Sequence, residues 1–348
     1  MTIREAKRAP VSPPASLTNQ RRDIPNRVFA GVSRSAASLI LITLAAVATF
    51  LVIRAWPALT ASKEDLGSNV EWLQTSGLWP TIGFLVYGTI VIATIALLIG
   101  APISYGIALF ISHYAPRRMA SGLGYVIDLL AAVPSVVYGL WGALVFVPFL
   151  LPAIEWLERN FKWIPLFKGR VISETTTMVN GHPVVTQVTT VGTGRVALAA
   201  GIVLAIMILP IITAVTREVF LQTPVLHEEA ALALGATRWE MVKIAVLPFG
   251  RSGMIGATML GLGRALGETM AVYMILSPGN LPQIVASIVE PSAHNTIAAN
   301  IALKFPEANQ HGVSALIAMG LALFAITLVV NMIARWVVSR RAEFSGAN

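Results

Sequence analysis

Arg264 and Glu268 have the clearest potential for chemistry, because they interrupt a long and otherwise apolar stretch of the chain. Arginine keeps its charge at any attainable pH, and its planar donor fork matches tetrahedral oxyanions. Glu268 can neutralise the guanidinium in an empty site or accept a proton from a protonated oxyanion. A charge at the centre of a membrane helix costs about 2.5–3.5 kcal/mol on lenient insertion scales, so some gain must offset it. The bland alternative is an ion pair that sets helix register against a neighbouring subunit.

The spacing of the pair predicts how it is placed. Arg264 and Glu268 are four residues apart and are expected to share one helix face, while Gly263 and Gly267 form a strip of small residues beside them. This pattern predicts close helix packing next to the charges, which then point into protein or a water-filled cavity. In an earlier apolar run, Ser135 and Tyr138 are candidates to line the same pathway, or they are ordinary hydrogen bonders between helices.

A second informative stretch, residues 223–248, has the end signals of two short helices. Thr223 and Pro224 supply an N-cap and a favoured first helical residue. Gly235 is the expected left-handed stop. Thr237 then forms a capping box with the glutamate three residues later. The sequence therefore predicts two short helices joined by a sharp bend.

The first of these helices is too short to cross a bilayer. About eleven residues extend only about 16 Å, so its apolar side must be buried elsewhere. Docking into a groove of a soluble partner satisfies this need, and an interfacial amphipathic loop without a partner is the alternative. Pro248 discourages a straight continuation into the next apolar run.

The elements that position these residues are membrane helices. Of the 348 residues, 55% are hydrophobic and only 12% are charged, which lies outside the usual range for soluble domains. Runs long enough to cross about 30 Å of hydrocarbon predict an all-α polytopic membrane protein with about six transmembrane helices. The runs are Ser35 to Ile53, 83–110, 122–151, 195–216, 252–276 and 313–337. Pro102 and Pro134 predict tilt or kinks in the second and third spans.

The segments between the spans predict the topology. Residues 1–34 form a disordered basic cytoplasmic tail, and residues 35–348 form the membrane domain, with its core at about 81–340. An excess of Lys and Arg on one side places both termini and the loop at about 217–250 in the cytoplasm. The external loop, at about 152–194, contains Asn180-Gly181 between β-branched residues, which predicts a hairpin. This hairpin docks an extracytoplasmic partner or caps the helix ends.

Several classes of protein are excluded by composition. The chain has no cysteine, so disulfides and thiolate sites are impossible. Its basic residues flank apolar runs rather than cluster on a folded domain, which argues for membrane lipid and against nucleic acid as a partner. There is no GxxxxGK[ST] loop and no HExxH pair, so the chain is not expected to be an enzyme. The five histidines are dispersed without ligand spacing, so no metal site is predicted: His113, His182, His227, His294 and His311.

The loop resembles the EAA loop of binding-protein-dependent ABC importers, in which it is the coupling helix that inserts into a separate ATPase. The residues that carry this resemblance are Glu229, Ala230, Ala231, Gly235, Leu247 and Pro248. One departure is Ala245, where the family often has isoleucine, although Ile244 is adjacent. The resemblance implies a type I permease fold and no cofactor in this chain, with ATP and Mg²⁺ on the partner ATPase.

Two further strings, Arg264 to Val272 and Val133 to Gly142, resemble the permeases of the phosphate-specific ABC importer, from roughly residue 35 onward and closest to the PstC-like branch. The resemblance implies an inner-membrane heterodimer with a PstA-like permease, an ATPase dimer and an extracytoplasmic phosphate-binding protein. It also implies that Arg264 and Glu268 lie on the translocation route. The open alternatives are import of sulfate or molybdate, and a secondary anion transporter without an ATPase. An intramembrane enzyme is the weakest alternative.

Overall fold

The computed structural model describes residues 23–179, 182–276 and 284–342. The chain divides at Phe50 into two units, which are described separately. The first unit contributes the beginning of a single helix, and the second contains all other described elements. A hydrophobic chain of this kind satisfies its backbone hydrogen bonds within helices, because lipid offers no partners.

The described part is mainly helical. Its helices are α1 (Asp23–Thr60), α2 (Lys63–Asn69), α3 (Leu78–Leu109), α4 (Arg117–Ala131), α5 (Ser135–Trp141), α6 (Val147–Phe161), α7 (Ala197–Leu221), α8 (Val225–Ala233), α9 (Arg238–Met241), α10 (Leu247–Leu266), α11 (Met270–Ile275), α12 (Ile297–Lys304) and α13 (Gln310–Ala342). Three wider π-turns join neighbouring helices at Phe110–Tyr114, Gly142–Phe146 and Val242–Val246. Among the described residues, six helical stretches are long and apolar enough to span a membrane, which confirms the predicted number.

Two predicted boundaries are wrong. The basic tail was predicted to continue to residue 34, but α1 already begins at Asp23, and residues 1–22 lie outside the described part. Polar residues continue a helix that an apolar run has started, and Pro25 lies in the first turn, where a missing N–H is harmless. The third span was predicted as one kinked helix over 122–151, but the chain breaks before Pro134. A residue that precedes proline is disfavoured in the helical conformation, so α4 ends before Pro134. The membrane-spanning stretch, Ser135–Phe161, starts after it.

The core is organised around α7, whose buried residues lie among those of α3, α6, α10 and α11. Small residues allow the close approach. A Cβ on Gly261 of α10 would lie 2.6 Å from the side chain of Ile212 in α7. A Cβ on Gly139 of α5 would lie 2.7 Å from the Cα of Ala271 in α11. Interiors of this density leave no room for an added methyl group against backbone, so these glycines set the helix spacing.

A two-stranded ribbon joins the third and fourth spans. Strands β1 (Arg170–Val179) and β2 (His182–Thr190) pair antiparallel, from Arg170 opposite Thr190 to Val179 opposite His182, with one irregularity between Val171 and Ser173. The predicted hairpin is thus confirmed in its strands, while the turn pair Asn180-Gly181 lies outside the described residues.

The fifth span departs from prediction at both ends. Pro248 does not interrupt it, because Arg238–Leu266 is one continuous helical stretch that includes a π-turn. In that turn the N–H of Leu247 bonds to the carbonyl of Val242, five residues back, and the wider turn accommodates the missing N–H of Pro248. At the other end, the helix stops at Leu266 instead of continuing to residue 276.

Candidate translocation site and coupling loop

Arg264 lies near the end of the fifth span, about one turn beyond the level of the middle of the fourth span. Gly261, three residues before it, packs against Ile212 and Ile208, which occupy the centre of α7. Three residues of helix add about 4.5 Å, so the backbone of Arg264 lies close to the level of the middle of α7, the most buried span. The side chain is half-buried, and its Nε has no hydrogen-bond partner among the described residues. A buried donor of this kind retains the capacity to bind an acceptor.

The predicted ion pair between Arg264 and Glu268 is absent within the described residues, and the two side chains do not share one helix face. The reason is that α10 ends between them. Gly267 closes the helix, with its N–H on the carbonyl of Gly263 at 3.3 Å. Arg264 is left in the last turn of α10, where the negative end of the helix dipole favours a cation.

Glu268 serves the helix that follows. Its Oε1 accepts a hydrogen bond from the N–H of Ala271 at 3.1 Å, and the residue is 7% exposed. The carboxylate therefore satisfies one of the free amides at the start of α11. Each of the two charges is stabilised by a helix end rather than by the other charge, and no carboxylate of residues 23–179, 182–276 or 284–342 pairs with the guanidinium.

The other end of α11 is held by Arg195, which precedes α7 and donates from Nη2 to the carbonyl of Met274 at 2.6 Å. Sequence reasoning missed this residue, since no local signal links it to Met274. It also missed Gly139, which lies against Ala271. The repeat of glycine at 139 and 142 within an apolar span could have indicated this close packing.

Of the two hydroxyl residues predicted to line the pathway, Tyr138 is near Arg264. The guanidinium is close enough to interact electrostatically with the tyrosine, whose hydroxyl donates to the carbonyl of Leu130 at 3.1 Å. Ser135 begins α5 and is half-buried, and none of the described contacts joins it to Arg264. The structure thus brings together the end of α10, the start of α11 and one face of α5.

The predicted packing at Gly263 and Gly267 is wrong within this chain. A Cβ on Gly263 would meet nothing within 4 Å, and one on Gly267 would reach only the carbonyl of Gly263. Close packing of this helix uses Gly250, Gly253 and Gly261 instead, all of which face α7. The helix turns its other glycines outward because α7 occupies the adjoining face.

The loop at 223–248 forms the predicted short helix α8 and the bend after it, and α9 starts where predicted but continues into the fifth span instead of ending as a short helix. Gly235 between them has φ of 85°, the left-handed conformation that favours glycine. In the capping box, Thr237 N–H donates to Glu240 Oε2 at 2.8 Å, and Glu240 N–H donates to Thr237 Oγ1 at 3.3 Å. The N-cap prediction is wrong by one residue: Pro224 occupies the cap, and its carbonyl accepts from His227. Thr223 Oγ1 is buried and has no hydrogen-bond partner among the residues that the structure describes.

The loop has an inner and an outer side. Ala231 is buried in a cluster with Phe220 and Val242, and Leu247 packs against that cluster just before Pro248. Glu229, Ala230 and Gly235 are exposed. So are three large apolar side chains, Val225, Leu226 and Leu234, of which Leu234 is 89% exposed. Apolar groups that protrude from a short, sharply bent loop are typical of a docking surface.

Residues 100–343 match the family described as binding-protein-dependent transport system inner membrane component. The chain belongs to this family. The matched segment includes both α8 and the break after α10, so the family match covers both candidate functional regions. Membership makes the chain a multi-pass membrane permease of an ABC importer, with the all-α fold predicted from its hydropathy.

Three relatives extend the similarity over almost the whole chain. A phosphate transport system permease protein PstC 2 of Mycobacterium tuberculosis (strain ATCC 25618 / H37Rv) is 41% identical over 311 residues, 89% of this chain and 90% of the relative. A PstC protein of Mesorhizobium japonicum is 36% identical over 332 residues, 95% of each chain. One of Pasteurella multocida is 38% identical over 324 residues, 92% of this chain and 93% of the relative.

Proposed function

We propose that this chain is one permease subunit of an ATP-driven importer that carries inorganic phosphate across the cytoplasmic membrane. Two independent features support the proposal: the relatives are phosphate transport system permease proteins, and Arg264 has a buried Nε at the break of the fifth span that no described residue hydrogen-bonds. The second observation carries the mechanism, because Arg264 supplies a charged donor level with the middle of α7, and no described carboxylate neutralises it.

The chemistry at the break fits an anion in transit. A multiply charged anion that leaves water needs donors to replace its hydration, and the guanidinium offers several in one plane. Glu268 repels a fully ionised anion but can accept the proton of a hydrogen phosphate. The anion is therefore attracted without being trapped. No bond is made or broken in this chain.

Coupling uses the loop at 223–248. We infer that α8 docks into a separate ATPase dimer, which binds ATP and Mg²⁺, through the exposed Leu226 and Leu234 and the flanking Glu229. ATP-driven closure of that dimer moves the loop, and this permease rocks against a related PstA-like permease. An extracytoplasmic binding protein delivers phosphate on the opposite side.

Substitution of Arg264 tests the site. In the assembled complex in vesicles, Arg264→Gln is expected to lower phosphate uptake by roughly ten- to hundredfold, the effect of losing one charged hydrogen-bonding group. Arg264→Lys keeps the charge without the planar fork and should give an intermediate rate. Subunit assembly is measured in parallel by co-purification. Normal uptake by an assembled Arg264→Gln complex would remove this residue from the mechanism.

Competition separates phosphate from sulfate or molybdate, since a guanidinium alone does not discriminate among them. Sulfate has no proton at neutral pH to offer Glu268, so a large excess of sulfate should leave phosphate uptake unchanged. Strong competition by sulfate or molybdate would favour the broader oxyanion importer. Uptake by vesicles that contain this chain but no ATPase would instead indicate a secondary transporter.

A further inference from the structure

His113 and Glu228 join two regions that are far apart in the sequence. His113 lies in the π-turn Phe110–Tyr114 at the end of α3, and Glu228 lies in the first turn of α8. The imidazole Nε2 is 3.3 Å from Oε1 of the carboxylate. The side chains are 8% and 23% exposed, so the contact is largely shielded from water and from screening by salt.

Ser112 completes the hydrogen bonding of the imidazole. Its hydroxyl is 2.7 Å from Nδ1 of His113 and 3.3 Å from the carbonyl of Leu109. In the neutral ring, the hydroxyl donates to Nδ1 and the Nε2–H donates to Glu228. In the protonated ring, Nδ1–H donates to the hydroxyl, which then donates to Leu109. The hydroxyl therefore complements Nδ1 whether that nitrogen accepts or donates, and Nε2 bonds to Glu228 in both arrangements.

The same helix end is also attached through apolar contacts. The imidazole meets the ring of Phe220 edge to face, with centroids 6.5 Å apart and planes at 72°. Phe220 belongs to the buried cluster that contains Ala231, three residues after Glu228 on α8. Residues three apart lie on one side of a helix, so α8 is fastened to the protein along a single face.

The π-turn positions His113 for this contact. The N–H of Ala115 bonds to the carbonyl of Phe110, five residues back, at 2.8 Å. A turn of this width holds one more residue than an α-turn, which rotates the residues beyond it relative to an uninterrupted helix. Wider turns recur at functional positions, and a second one, Val242–Val246, contributes its first and last residues to the same cluster.

We propose that the His113–Glu228 pair is the joint through which movement of α8 is transmitted to α3. The proposal rests on the proposed function, in which the outer side of α8 docks on an ATPase. Neither residue contacts the anion, so both are positioning residues: they hold the coupling helix on the second span while its exposed side follows the motor. Because α8 is attached to α3 along its inner face, a force applied to its outer face moves α3. Without this attachment, the same force would only bend the loop.

The test measures phosphate transported per ATP hydrolysed by the assembled complex in vesicles. His113→Phe keeps the ring and its contact with Phe220 but removes the bond to Glu228, and it should lower this ratio by about tenfold, the effect of one charge-assisted hydrogen bond. His113→Gln retains a side-chain N–H at similar reach and should stay close to the wild-type ratio. His311→Phe, at an exposed histidine at the start of α13, is the matched control and should change nothing.

A swap separates coupling from folding. If His113→Phe prevents assembly, the double variant His113→Glu with Glu228→His re-creates the pair in reverse and should restore both assembly and the transport ratio. A wild-type transport ratio in the assembled His113→Phe complex would contradict the proposed role of the pair. So would a swapped variant that assembles but keeps a low ratio of phosphate transported to ATP hydrolysed. A wild-type complex without ATP-dependent phosphate uptake would instead contradict the proposed function, so the two failures are distinct.

Discussion

Glu268 is bonded to the backbone of α11 and not to the guanidinium one helical turn before it. The carboxylate accepts from Ala271 N–H, and this leaves Arg264 Nε without a hydrogen-bond partner in the part of the chain that the structure describes. A tight ion pair at this position would have to be broken for an anion to bind, at the cost of a buried charge left alone. Separation of the two charges avoids that cost in the empty protein.

We expect two substitutions of Glu268 to separate its capping role from its charge. Glu268→Gln keeps an acceptor for Ala271 N–H, so its thermal unfolding in detergent should match wild type while phosphate uptake changes. Glu268→Ala removes the cap and should lower the free energy of unfolding by about 0.5–2 kcal/mol. Equal destabilisation by Gln and Ala would show that the charge, and not the cap, stabilises α11.

At the scale of elements, the fifth span and the second helix of the loop are one continuous helical stretch. It runs from Arg238, next to the capping box, to Leu266, just beyond Arg264. These 29 residues of helix extend about 44 Å. A displacement at the loop is therefore carried along one element to the guanidinium, with the π-turn at Val242–Val246 as the point where the helix accommodates Pro248.

The bend at Gly235 is the place to test this transmission. Gly235→Val forces a β-branched residue into a left-handed conformation, at a cost of about 1–3 kcal/mol, although a Cβ there meets nothing within 4 Å. Both ATP hydrolysis and phosphate uptake by the assembled complex should fall. Gly235→Asn, which tolerates this conformation, is the matched control and should retain most activity. Undiminished, tightly coupled transport by Gly235→Val would contradict the role of the bend.

At the scale of the whole molecule, the proposal requires a definite orientation in the membrane. Positive residues flanking the spans predict that the loop at 223–248 is cytoplasmic and that the segment after α6 is external. The chain contains no cysteine, so single cysteines report their own location without background from this chain. Leu234 and Trp163 are both well exposed and lie on opposite predicted sides.

We expect a membrane-impermeant maleimide to label Trp163→Cys on intact cells. Leu234→Cys should be labelled only after the cells are permeabilised, because the bilayer separates it from the reagent. Labelling of both variants with the same intensity before and after permeabilisation would show that the reagent had entered, and a reversed pattern would contradict the predicted orientation. Uptake by each variant confirms that the labelled protein is assembled.

The sequence by itself determined the number of spans, the short helix α8 with the bend and helix start that follow it, and the strands of the external ribbon. These are local properties: hydropathy over some twenty residues, a capping box within four, and β-branched residues around a turn pair. The signals at Gly235 and Thr237 were sufficient because the bonds that they form connect near neighbours.

Tertiary structure decided how the charges and helices meet. Helical periodicity predicted Arg264 and Glu268 on one helix face, but the helix ends at Gly267, between them. The direction of α11 after this break is set by its packing on α5 and its hydrogen bond from Arg195. The contact between His113 and Glu228 likewise joins residues 115 positions apart. Interactions of this kind depend on where two distant helices end, which no local pattern in the chain specifies.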